Sequence, residues 1–222
     1  MKNTYNRVLC ACGGIPNFAS VFNPKIHTRM KTKFYFLAAG ILSLAFLTSC
    51  NQDNKQKEDP SARTLTDLNV SAYDKWVYLS FETGTPVELG VDEKEPEVWD
   101  IALHRENVKT NKGAALQSDA TSLNALATLP SGTFTTDVTD SIIVDMSQMM
   151  QGIIGYQASE LNMVLNAWVS HSGMPPVYTV NENVYVVRTK EGKYAKIQFS
   201  SYKNAEDKTG YATFSYVYPA FE

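Results

Sequence analysis

Runs of alternating apolar and polar residues, rich in aromatic and β-branched side chains, recur along most of this chain. That period of two predicts strands. Residues 75–82 (Lys-Trp-Val-Tyr-Leu-Ser-Phe-Glu) form one such run and stop at Thr83-Gly84. Residues 99–105 (Trp-Asp-Ile-Ala-Leu-His-Arg) form a second, after the acidic, proline-containing loop 92–97. Residues 141–145 predict a short strand, residues 183–189 and 194–202 a hairpin across the Glu191-Gly192 turn, and residues 211–219 a closing strand. The Asn-, Gly-, Ser- and Thr-rich stretch 107–122 predicts an extended, exposed segment. One window breaks the pattern. Leu161, Val164, Leu165 and Trp168 recur at i, i+3, i+4 and i+7, so a helix is expected over 156–170, with Ser159 as its candidate cap and Met163 packing at its margin. The expected fold class is mainly β with this one embedded helix.

The first 50 residues follow a different rule. From Met30 a short basic start leads into an apolar run over 34–47 and then Leu47-Thr48-Ser49-Cys50, the layout of a secretory signal. The run is shorter than the ~20 apolar residues that a permanent membrane span needs. Its ending resembles a bacterial lipobox, which makes Cys50 the expected lipidation site; the other reading is an ordinary signal peptide with Cys50 incidental. Residues 1–29 read as an over-long start, and their Cys10, Cys12 and His27 are too few for a zinc site. The expected organisation is a leader over 1–49, a lipidated cysteine with a polar tether over 50–71, and one domain over 72–222.

Charge and cysteine content then narrow the function. Residues 1–50 hold six basic and no acidic residues, which leaves 14 basic against 23 acidic in the remainder. A balance of −9 lacks the basic footprint that nucleic acid requires. Beyond Cys50 there is no cysteine, so no disulfide is expected despite an exported address. Nor does an enzyme assemble from these residues: two histidines remain, His104 and His171, and no nucleophile elbow, phosphate-binding Gly-Lys loop or His-Glu-x-x-His pair is present. His104, inside a strand, is expected to be structural.

Every methionine after Met30 falls within 29 residues: Met146, Met149, Met150, Met163 and Met174. Thioethers fill irregular cores, and they also ligate haem iron as soft, uncharged donors. Core packing is the commoner use. Against it stands Met174, which sits in a loop stiffened by Pro175-Pro176. Two methionine-bearing loops of this kind could offer sulfurs to opposite faces of a flat ligand.

The segments 75–84 and 99–105, with Ile154-Gly155-Tyr156, residues 174–179 (Met-Pro-Pro-Val-Tyr-Thr) and the closing strand to Pro219, resemble the HmuY family of haem-binding lipoproteins. The likeness runs over roughly 72–219. It implies an all-β body with one embedded helix and iron protoporphyrin IX held between two extended loops. It also implies a lipid-anchored outer-membrane location at the cell surface, with release as a variant. Host haemoproteins would then be a haem source and a TonB-dependent outer-membrane haem receptor its recipient.

The founding pattern of that family uses two histidines as axial ligands, and here the ligand loops contain only His171. The resemblance therefore implies a methionine pair, Met149 or Met146 from the first loop and Met174 from the second, with a Met/His171 pair as the variant. Tyr156, Ile153, Ile154 and Tyr178 are candidates for the porphyrin walls. The rival expectation is a β-rich lipoprotein interaction module for protein or glycan, with the methionines in its core.

Overall fold

The computed structural model describes residue 59 and residues 61–221; the expected leader, Cys50 and most of the tether lie outside the described residues. Fourteen strands follow in chain order: β1 (Arg63–Asn69), β2 (Lys75–Leu79), β3 (Pro86–Gly90), β4 (Ile101–His104), β5 (Asn107–Thr110), β6 (Ala114–Gln117), β7 (Thr135–Thr136), β8 (Val138–Asp145), β9 (Gly155–Leu161), β10 (Val169–Ser172), β11 (Val177–Val180), β12 (Tyr185–Arg188), β13 (Tyr194–Lys203) and β14 (Thr209–Val217). They form a six-stranded sheet, β1-β14-β13-β12-β6-β7, a four-stranded sheet, β3-β2-β4-β5, and two hairpins, β8-β9 and β10-β11. The mainly β expectation holds. Among the described residues no helix is long and apolar enough to cross a membrane.

The two larger sheets bury one core between them. Val77, Leu79, Ile101 and Leu103 meet Tyr185, Val187, Ile197, Phe199 and Phe214 in a single cluster, the inner faces of two sheets interdigitating. Alternation along β2 and β12 supplies a second buried face for each sheet. Trp76 and Tyr78 of β2 point outward and are covered by Ile142 and Leu161 of the β8-β9 hairpin. Val184 and Val186 point outward from the other sheet and are covered by Leu123 and Leu126.

Three expectations need correction. No helix spans 156–170: β9 occupies Gly155–Leu161, and only Leu165–Trp168 winds, as a short 3-10 turn. The helical spacing arose because Leu161 ends a strand while Leu165 and Trp168 enter the core from the turn, so three buried residues on two elements imitated one face. Ser159 accordingly caps nothing and lies in β9. The stretch 107–122 is not an exposed segment; it carries β5 and β6, with Val108, Ala114 and Ala115 fully buried. The tether expected to run to residue 71 ends sooner, because β1 pairs with β14 from Arg63↔Tyr216 onward.

Candidate functional site

Residues 162–168, between β9 and β10, are fastened into the body, and both methionine hairpins spring from that joint. Asn162 is fully buried. Its Nδ2 donates to the Thr135 carbonyl and to Asp137 Oδ1, each at 2.9 Å, and its Oδ1 accepts from the Leu165 amide at 3.1 Å. Asn166 Oδ1 accepts from the Val108 amide at 2.6 Å. Trp168 is also fully buried, its ring centroid 4.4 Å from that of Phe199, and its Nε1 donates to the Glu106 carbonyl at 2.9 Å. A buried indole with its N–H satisfied makes a firm anchor.

The first hairpin lies on the outer face of the four-stranded sheet. Its register, Ile143↔Tyr156 and Ser141↔Ala158 on one face against Ile142↔Gln157 on the other, seats Ile142 and leaves Tyr156 outward. Under it, Lys109 is buried, pairs with Glu95 at 2.6 Å and stands 4.5 Å from the Trp76 ring centre. At the far end, Asp145 Oδ1 accepts from the Ser147 amide at 2.7 Å, and that bond holds its carboxyl below the usual carboxylate range. The chain then makes a 3-10 turn, Met149–Gln151, closed by Gly152 at φ 78°, whose N–H returns to the Met149 carbonyl. That left-handed conformation is what glycine supplies without strain.

An aromatic ladder braces the second hairpin. His171 and Tyr178 are cross-strand partners with ring centroids 5.5 Å apart; Tyr178 lies 4.9 Å from Tyr202, and Tyr202 lies 5.4 Å from Trp168. Gly173 (φ 81°), Met174, Pro175 and Pro176 form its tip.

None of the five methionines is in the core, which corrects the expectation attached to the interaction-module reading. Met174 is 98% exposed, Met150 89%, Met163 49% and Met149 47%. Met146 is half-buried, and Met163 is not the helix-margin contact that was expected. Exposed neighbours are Ile153, Tyr156 and Val177, while Ile154 and Tyr178 are half-buried. Val177 escapes sequence reasoning, although its place directly after Pro175-Pro176 and the alternation of β11 would have marked it as outward. Eight of the eleven exposed large hydrophobic residues fall within Val138–Val177. Single exposed apolar residues are ordinary, but seven of these eight sit on the two hairpins, and the eighth, Met163, lies in the joint between them.

His104 takes no part. It is 1% exposed, its Nε2 bonds the Tyr73 carbonyl at 2.7 Å, and burial holds its pKa below the ordinary histidine value. The clefts avoid the hairpin tips: one of about 440 Å3 lies beneath the first hairpin, lined by Trp76, Lys109 and Glu160, one of about 360 Å3 lies along Tyr178 and Tyr202, and one of about 380 Å3 lies beside Gln198 and Ser215. None of the three is lined by a methionine. Among the described residues no group of three His, Cys, Asp or Glu is placed to hold a metal ion. The chemistry on offer is a set of neutral, soft sulfur donors beside aromatic and branched apolar surface, which suits a flat apolar ligand carrying a transition metal.

The HmuY protein family model matches residues 72–216. A solved structure from Bacteroides vulgatus, assigned as an HmuY-like heme binding protein, is 37% identical and superposes with a TM-score of 0.68 over 74% of this chain and 96% of its own. A lipoprotein assigned in Bacteroides fragilis is 35% identical, with a TM-score of 0.68 over 73% of this chain and 92% of its own. The apo HmuY analog of Tannerella forsythia is 26% identical, with a TM-score of 0.62 over 70% and 93%. No curated protein matches.

Proposed function

The chain belongs to the HmuY family, and from that premise we propose that it is a haem carrier, a lipoprotein that captures haem between its two methionine hairpins. The observation that carries this reading is the exposure of the thioethers. A core has no use for a sulfur that is 98% exposed, as Met174 is. A ligand that must be reached from solvent requires such exposure.

The residues fit the group. Met174 from one hairpin tip and Met149 from the other would hold the iron, with Met146 as the alternative to Met149 and His171 as the alternative to a sulfur. Tyr156, Ile153 and Val177 would cover the ring, shielding apolar surface of both partners from water. Bound haem supplies an iron whose ferrous state thioethers favour over imidazoles. The protein's part is to orient two neutral donors that carry no proton to lose, and to anchor their hairpins at Asn162 and Trp168 so that both return to one geometry.

The cellular setting rests on the sequence. The lipobox-like Leu47–Cys50 ending and the 35% identity to a lipoprotein from Bacteroides fragilis support an outer-membrane anchor at Cys50. Family membership supports host haemoproteins as a source and a TonB-dependent receptor as the recipient; no catalytic step enters the account. The test is an absorption titration with haemin. Saturable Soret displacement at one equivalent is the expected result, and a spectrum that merely adds free haemin to protein would overturn the reading.

A further inference from the structure

Residues 113–187 contain no lysine and no arginine. The chain's average of 20 in 222 would place about seven in a run of 75 residues. The same run contains six carboxylates, Asp119, Asp137, Asp140, Asp145, Glu160 and Glu182, together with both hairpins and all five methionines that follow Met30.

Three of the basic residues brought to the hairpin roots by the rest of the fold are already engaged, and a fourth, Lys112, is exposed but shares its cleft with Glu160, at the end of the first hairpin away from the methionine tip. Lys109 is 6% exposed and is held by Glu95 and the Trp76 ring. Arg105, beside Tyr178, donates to the Ser71 carbonyl at 2.8 Å, covers the Tyr73 ring at 4.1 Å and lies 3.8 Å from Glu106. Lys203, which shares a cleft with Tyr178, pairs with Asp207 at 2.7 Å. The hairpins themselves offer hydroxyls, amides and one imidazole, His171.

Haem carries propionates that are ionised at neutral pH, as ordinary carboxylates are. A site that read them would set guanidinium or ammonium groups opposite, because charge-assisted bonds are the strong ones. We infer that this chain recognises the apolar macrocycle and its metal alone and leaves the propionates in solvent, so that its ligand class is metalloporphyrins irrespective of their acidic substituents. The inference rests on the haem-carrier reading. Charge weighs the same way, since an acidic surface repels a dianion and gains by keeping its charged edge hydrated.

The test compares haemin with its neutral dimethyl ester, both presented to the purified chain from the same detergent micelles at pH 8, where an ordinary imidazole is neutral. The two dissociation constants should agree within about threefold, and the haemin value should not weaken between about 0.05 and 0.5 M salt, because no ion pair is there to be screened. Each propionate held by a charge-assisted bond would contribute about tenfold or more. Ester binding weaker by that margin, or an equal loss of haemin affinity at high salt, would overturn the inference and leave haem binding standing. Binding of neither ligand would overturn the haem-carrier reading and this inference with it.

Discussion

Asn162 Nδ2 donates to Asp137 Oδ1 at 2.9 Å, and the same carboxylate accepts from the amide and hydroxyl of Thr110 at 2.6 and 2.9 Å. A single buried amide and a single acid thereby tie the joint between the two methionine hairpins to β5. The hairpin tips carry the proposed chemistry, and this pair fixes where they start.

Replacing Asn162 with Ala strands the Leu165 amide, the Thr135 carbonyl and part of Asp137 inside the protein. Unsatisfied buried groups of this kind should lower unfolding free energy by about 2–3 kcal/mol. Urea denaturation measures it, and a loss within experimental error would show that Asn166, Trp168 and packing hold the joint without Asn162.

His104 predicts a pH dependence of stability. Burial lowers its folded pKa, so between that value and the unfolded value of about 6.5 the unfolded chain binds more protons. Stability is therefore full above about 6.5 and falls as pH drops toward the lowered value. His104→Gln keeps a donor for the Tyr73 carbonyl and should flatten that slope in unfolding measurements from pH 8 to 5. An unchanged slope would assign it to other groups.

Haem affinity itself should be nearly level over the same range, provided the fold is intact, since thioethers do not exchange protons. Titrations at pH 8 and pH 6 should agree within about threefold, whereas an imidazole ligand would weaken as its protonation competes near its ordinary pKa of about 6.5. A steep loss at pH 6 would favour His171 as one of the two ligands.

Exposure also orders the methionines toward oxidation. Hydrogen peroxide passes one oxygen to a thioether and leaves water, and accessible sulfurs react first. Met174 and Met150 should become sulfoxides ahead of Met146, as read by peptide mass spectrometry. Haem should then protect Met174 and Met149 but not Met150. Equal protection of all three would mean that haem shields the surface without ligating those sulfurs.

Much of the body was legible in the sequence, and the parts that were not have physical reasons. The β12-β13 hairpin showed itself because the apolar run 184–187 is followed, across Glu191-Gly192, by Ala195, Ile197 and Phe199 alternating with Lys196, Gln198 and Ser200. β1 did not, because Arg63–Asn69 packs by Leu65 and Leu68 alone and is otherwise polar. Residues 107–117 looked like an exposed loop because their polar side chains are satisfied by partners elsewhere in the fold: Thr110 Oγ1 donates to Asp137 and Asn111 Nδ2 donates to the Trp99 carbonyl. The methionine window stood out as composition, but period and spacing cannot tell a buried thioether from an exposed one. Tertiary placement decided that, through a strand at 155–161 where a helix was expected.

The measurement that bears most directly on the central claim pairs haemin titration with urea unfolding for Met149→Ala, Met174→Ala and Met150→Ala. Exposed side chains should each cost no more than about 0.5 kcal/mol of stability. Met149→Ala and Met174→Ala should nonetheless weaken haem binding by at least about tenfold and shift the Soret band, since each removes an axial donor. Met150→Ala should match the parent chain in both. Parental affinity and spectrum in Met149→Ala and Met174→Ala alike would contradict the account.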